Sequence, residues 1–212
     1  MVRHIHIRTR GQRTTLFTAW LLVVATLWPI TGSAQQPGHR YASPELAMES
    51  IGARPQGRAA TGDLNGDGLA DWANMVTIKN DGGDYRLLLI CTKDADGMFQ
   101  IAARSVAQPF PDRVDTDQIQ IEGGYLFIYM SYTRGTDMPQ MDMWTIRYWR
   151  DAWRAVSLVE TDTIGDTGKS IVTDTNLLTG RTVVTHKSGE KIISSKTGVA
   201  KKHSTLVSDL SF

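Results

Sequence analysis

Residues 63–71 read Asp63-Leu64-Asn65-Gly66-Asp67-Gly68-Leu69-Ala70-Asp71, and the chain continues Trp72-Ala73-Asn74-Met75-Val76-Thr77-Ile78. The first string has the form D-x-N-x-D-G-x-x-D. The second is an apolar, partly β-branched run that reads as a strand. Acid and amide side chains at alternate positions can all aim inward when glycines let the backbone curl. A hard cation such as Ca2+ takes about six or more oxygen ligands around such a loop. Asp63, Asn65 and Asp67 are the expected side-chain ligands. The Leu69 carbonyl is the backbone ligand, and Asp71 closes the shell. Without a cation the carboxylates repel, by roughly 4 kcal/mol per pair as an upper figure at about 4 Å and an effective dielectric near 20. A plain polar turn is the alternative, because Asn-Gly and Asp-Gly are ordinary turn dipeptides. Acid at both outer positions is more than two overlapping turns require.

An EF-hand is excluded. That loop places a bidentate Glu at its twelfth position and runs into a helix. Here Asn74 holds that position and a strand follows.

Downstream, short apolar or β-branched runs alternate with turn clusters, which is the signal of consecutive hairpins. Strands are expected at 72–78, 85–92, 98–105, 117–121, 125–132, 143–149, 153–159, 171–174, 181–186 and 191–195. The run Leu87-Leu88-Leu89-Ile90 is apolar on both faces and reads as a central strand. The fold expected is all-β: an antiparallel meander of consecutive hairpins, either a sandwich or partial propeller blades, with one embedded calcium loop. Trp144, Tyr148, Trp149 and Trp153 gather around one hairpin. Cross-strand packing is the expected role, with a sugar-stacking platform as the alternative.

Upstream, residues 1–34 read as an export signal. Arg3, Arg8, Arg10 and Arg13 precede an apolar run over 16–30, and Gly32-Ser33-Ala34 offers small residues for cleavage. The apolar run is short for a bilayer span, so a periplasmic protein with no stable membrane insertion after cleavage is expected. Residues 35–61 are expected to be a connector, with a short helix from the Ser43 cap and Pro44 to Ile51. Residues 62–212 are expected to form the calcium-binding β domain.

The whole chain carries 23 basic and 22 acidic residues. Beyond the leader, residues 35–180 carry 13 basic against 20 acidic, and 181–212 carry six against two. An acidic body without a basic, aromatic-studded face excludes nucleic acid as the expected partner. Cys91 is the single cysteine, so the chain has no internal disulfide and relies on its core.

Several pieces in order carry a resemblance. They are Gly62-Asp63-Leu64-Asn65-Gly66-Asp67-Gly68, Arg86-Leu87-Leu88-Leu89-Ile90, Lys93-Asp94-Ala95-Asp96-Gly97 and Ala102-Ala103-Arg104-Ser105. Arg147-Tyr148 with Trp153-Arg154, and Asn176-Leu177-Leu178-Thr179-Gly180, complete the series. The loop feeding a strand resembles the calcium loops of FG-GAP repeats. The series resembles small exported bacterial proteins with one FG-GAP-like loop, a group similar to the periplasmic inhibitors of invertebrate-type lysozymes. That group includes immunity proteins against lysozyme-like effectors delivered by type IV secretion.

The resemblance implies a protein inhibitor of a lysozyme-like peptidoglycan hydrolase and no enzyme activity. It implies a rigid loop that enters the hydrolase cleft, here 131–138. Tyr132 would anchor in the cleft, Arg134 would meet a catalytic carboxylate through two hydrogen bonds, and Thr133, Gly135 and Thr136 would complete the contact. The chain departs from the inhibitors' Ser-Gly-x-x-Tyr motif: Ser188-Gly189 is followed by Ile192 where the Tyr would stand. The alternative function is an envelope adhesion or protein- or glycan-binding module on the same calcium scaffold.

Other signals are set aside. Gly165-Asp166-Thr167-Gly168-Lys169-Ser170 lacks the first glycine and the strand–loop–helix setting of a phosphate-binding loop. His39, His186 and His203 are not at ligand spacing. Asp112, Asp115 and Asp117 read as a solvated loop rather than a glycosidase pair.

Overall fold

A computed structural model describes residues 38–80, 82–109, 114–134, 138–200 and 205–210. These all belong to one unit spanning residues 33–212. The expected leader lies outside the described residues. Helix α1 is Pro44–Ser50. The strands are β1 Ala53–Gly62, β2 Asp71–Asn80, β3 Gly83–Lys93, β4 Phe99–Arg104, β5 Gln108–Pro109 and β6 Val114–Glu122. They continue as β7 Tyr125–Arg134, β8 Met138–Trp149, β9 Ala152–Ile164, β10 Lys169–Asn176, β11 Arg181–Ser188 and β12 Lys191–Val199.

Every pairing is antiparallel, and nearly all neighbours are consecutive in sequence. One sheet has the order β1-β2-β3-β4, with β5 also on β3; the other runs β12-β11-β10-β9-β8-β7-β6. The all-β meander expected from the turn spacing is the architecture observed, as two stacked open sheets.

Strand β3 explains the layering. Its residues 86–92 are all buried. Leu88 and Ile90 join Ala73, Met75, Leu126, Ile128 and Ile146 in a core between the two sheets. Leu87, Leu89 and Cys91 point the other way, into a core with Ala47, Met48, Trp72 and Val76. Alternation at period two thus delivers one strand to two cores. The second core is closed by α1, where the Ser43 hydroxyl accepts from the Leu46 N–H at 3.4 Å and Pro44 opens the first turn.

The segment expected to be a connector, 52–61, is instead the edge strand β1. Pro55 and Gly57 read as breakers, but an edge strand tolerates both. Its open side does not need the proline N–H, and the register shift between Gln56 and Ala60 absorbs Gly57, whose φ is +69°. Strand β1 also contacts β6 of the other sheet. A methyl group on Gly62 would stand 2.6 Å from Ile121 Cγ2. Gly62→Ala is therefore expected to destabilise by about 1–3 kcal/mol through overpacking. In a urea double-mutant cycle, Ile121→Ala should recover part of that loss; strict additivity would contradict the close approach.

Cys91 is wholly buried. Burial, then the charges of Glu45 and Asp71, push its thiol up to about 12. The native protein at pH 8 should not react with a disulfide reagent, and the urea-unfolded chain should release one equivalent. Native-state labelling would place Cys91 elsewhere. Among the described residues no helix is long and apolar enough to cross a membrane.

Candidate functional site

The loop 63–70 is the connection of the β1–β2 hairpin, whose last pair is Gly62 with Asp71. Its side chains fold onto its own backbone. Asp63 accepts from the Gly66 N–H at 2.7 Å through Oδ1 and from the Gly68 N–H at 2.9 Å through Oδ2. Asn65 Oδ1 accepts from the Asp67 N–H at 3.0 Å, and Asp67 Oδ1 from the Leu69 N–H at 2.8 Å. Gly66 and Gly68 have φ of +84° and +82°, which the curl needs. Asn65 Nδ2 donates to Asp67 Oδ2 at 2.9 Å.

Asp71 plays a different part. It is fully buried; Oδ2 accepts from the Leu64 N–H and Oδ1 from the Lys93 N–H, each at 2.9 Å. It pins the loop to the end of β3. Burial raises its pKa, the Lys93 and Leu64 N–H groups oppose that, and the charges of Asp67 and Asp63 add to the rise. The three carboxylates therefore lie within electrostatic reach of one another. Among the described residues, no three His, Cys, Asp or Glu are grouped closely enough to hold a metal by those side chains alone. An oxygen shell here would also need Asn65 and the Leu69 carbonyl. The donor set is all oxygen, which fits calcium chemistry.

A second acidic turn lies just past the end of β3. Asp94 Oδ1 accepts from the Asp96 and Met98 N–H groups, both at 3.0 Å. Arg40 Nη2 stands 2.6 Å from a carboxylate oxygen of each acid. Desolvation works against ionisation of Asp94, but the Met98 N–H and the guanidinium outweigh it and hold the carboxyl below its usual range. In this turn an arginine supplies the positive charge. Nothing in the sequence pairs Arg40 with residues more than fifty positions away.

The segment expected to be an inhibitory loop is mostly strand. Ser131, Tyr132, Thr133 and Arg134 continue β7, in register with Met141, Gln140, Pro139 and Met138, so only 135–137 connect the hairpin. Tyr132 packs against the core between the sheets, and its hydroxyl donates to Asp142 Oδ2 at 2.8 Å. The expectation of Tyr132 as a loop anchor is corrected: it is a half-buried strand residue. For Thr133 and Arg134 the backbone pairing is described; Gly135 and Thr136 lie outside the described residues. Alternation along β7 puts Tyr132 on the face of Ile128 and Met130, the signal that identifies it as an inward residue.

Within the stretch 165–170, residues 165–168 form the tight connection between β9 and β10, a short 3-10 turn closed by Gly168 at φ +64°, and Lys169 and Ser170 open β10. It has no helix behind it and no phosphate-loop geometry. Compared with protein families, curated proteins and solved structures, the chain matches none.

Proposed function

We propose that this protein is an exported, calcium-stabilised inhibitor of a lysozyme-like peptidoglycan hydrolase, an immunity-type protein of the periplasm. Its specific chemistry comes from the resemblance carried by the pieces between Gly62 and Gly180. The supporting observation is the β7–β8 hairpin: two strands of ten and twelve residues joined by a three-residue tip and braced below it by the Tyr132–Asp142 hydrogen bond. Thr133 and Arg134, paired in β7, lose little backbone freedom on docking, which is what a cleft-blocking inhibitor needs. Arg134 is the residue type that grips a carboxylate with two parallel bonds, and Thr133 and Thr136 can donate beside it. Tyr132 serves as the brace rather than the probe.

Calcium held by Asp63, Asn65, Asp67, the Leu69 carbonyl and Asp71 would lock the β1–β2 corner. A ligand that binds only the folded state adds about 2.7 kcal/mol at a concentration a hundredfold above its Kd. For a domain of this size that is a rise of roughly 5–11 °C in Tm. Calorimetry with calcium and with chelator measures it, and Asp63→Ala should abolish the difference.

The functional test is clearance of purified peptidoglycan by a panel of lysozyme-like hydrolases at equimolar protein. Inhibition that Arg134→Ala relieves supports the reading. Full hydrolase activity at stoichiometric protein ends it.

A further inference from the structure

A groove of about 700 Å³ lies beside the loop 63–70. Four segments line it: the loop through Asn65 and Asp67, the β3–β4 pair through Thr92 and Gln100, the β8–β9 turn, and the C-terminal stretch through Ser208. That last stretch is tied down at Arg154 and Ala155, where Leu206 bridges β9 and the Thr205 carbonyl accepts from Ala155. Tyr148, 40% exposed, and Trp153 stand in the wall as a tilted ring pair 5.3 Å apart. Ala102 and Ala103 add an apolar patch.

The β8–β9 turn is unusual in its residues. Arg150 and Asp151 have φ of +50° and +59°, the only positive values at non-glycine positions among the described residues. A two-residue hairpin turn of this kind favours Asn-Gly. Here the guanidinium of Arg150 lies 4.2 Å from the centre of the Trp149 ring, and Asp151 is a lining residue of the groove. An easier residue at 151 would remove that carboxylate.

The lining defines the ligand. Among the described residues it holds two carboxylates, two amides, hydroxyls and an exposed ring, and neither Lys nor Arg. Such a wall takes a molecule rich in hydrogen-bond donors with one flat apolar side, which describes a pyranose. We infer that this groove binds a glycan, with a sugar ring on Tyr148 and its hydroxyls on Asp151, and an oligomer of N-acetylated hexosamine is the probe. The inference stands apart from the hydrolase reading: the hairpin tip and this turn lie at opposite ends of β8, about 35–40 Å along a twelve-residue strand.

The test is titration of the protein, in excess calcium, with tetra-N-acetylchitotetraose, followed by calorimetry and by saturation-transfer NMR. Saturation of the sugar ring protons is expected, with affinity falling at least tenfold in Tyr148→Ala and in Asp151→Gly. Asp151→Gly should also raise Tm, because glycine adopts the positive φ without strain. That result would separate lost recognition from lost folding. No saturation transfer at millimolar sugar, equal binding by both variants, or displacement of the sugar by tetralysine overturns the inference. Absence of hydrolase inhibition bears only on the preceding reading.

Discussion

Asp71→Ala is expected to lower stability by up to about 2–6 kcal/mol, because it strands the buried Leu64 N–H and the part-buried Lys93 N–H, at roughly 1–3 kcal/mol for a buried donor. At about 2–4 °C per kcal/mol for a domain of this length, Tm should fall by roughly 4–24 °C. The donors belong to Leu64, inside the loop, and Lys93, at the end of β3. Loss of Asp71 therefore frees the loop from the sheet as well as removing a proposed calcium ligand. Asp71→Asn keeps one acceptor and turns an amide N–H toward the other donor, so an intermediate loss is expected in urea titration. A wild-type melting curve for Asp71→Ala would show that the pinning bonds do not form. The pH dependence has an unusual sign. Since Asp71 has a raised folded pKa, its contribution is largest below its unfolded value and is lost as pH climbs through the folded one. Without calcium, this group makes neutral protein less stable than mildly acidic protein.

Leu88→Ala is expected to cost about 2–5 kcal/mol, the range for emptying a fully buried leucine site. Leu88 is 0% exposed and pairs with Met75 at the middle of the two-sheet core. Ile192, equally apolar but 60% exposed on β12, provides the contrast. Ile192→Ala should stay within about 0.5 kcal/mol. Equal losses at the two positions in denaturant melts would contradict the layering.

The contrast shows where residue patterns suffice. Lys93-Asp94-Ala95-Asp96-Gly97 and Glu122-Gly123-Gly124 mark hairpin turns by local chemistry, and each turn is found. The double-faced apolar run at 87–90 marks β3 as central, and it is. Strand β1 escaped because Pro55 and Gly57 are breakers in the interior of a sheet and harmless at its rim, and rim or interior is decided by distant pairing. Tyr132 escaped for a related reason. Its inward direction follows from period two, but the carboxylate that holds its hydroxyl comes from the facing strand. The metal-type loop was legible as a motif, whereas the role of Asp71 as a pin needed Lys93, twenty-two residues away.

Strand β12 is exposed at all nine positions and ends the seven-stranded sheet, so one row of its backbone donors and acceptors faces outward. Such a flank is a template on which another chain can add itself, and Ile192 and Ile193 would make the addition sticky. Lys191 and Lys196 place like charge along it, and the register shift beside Lys187 kinks its pairing. Charge and kink together act as a guard against fibre-like stacking. Screening those lysines with salt, or neutralising them, would turn a quiet margin into the first place where this protein precipitates.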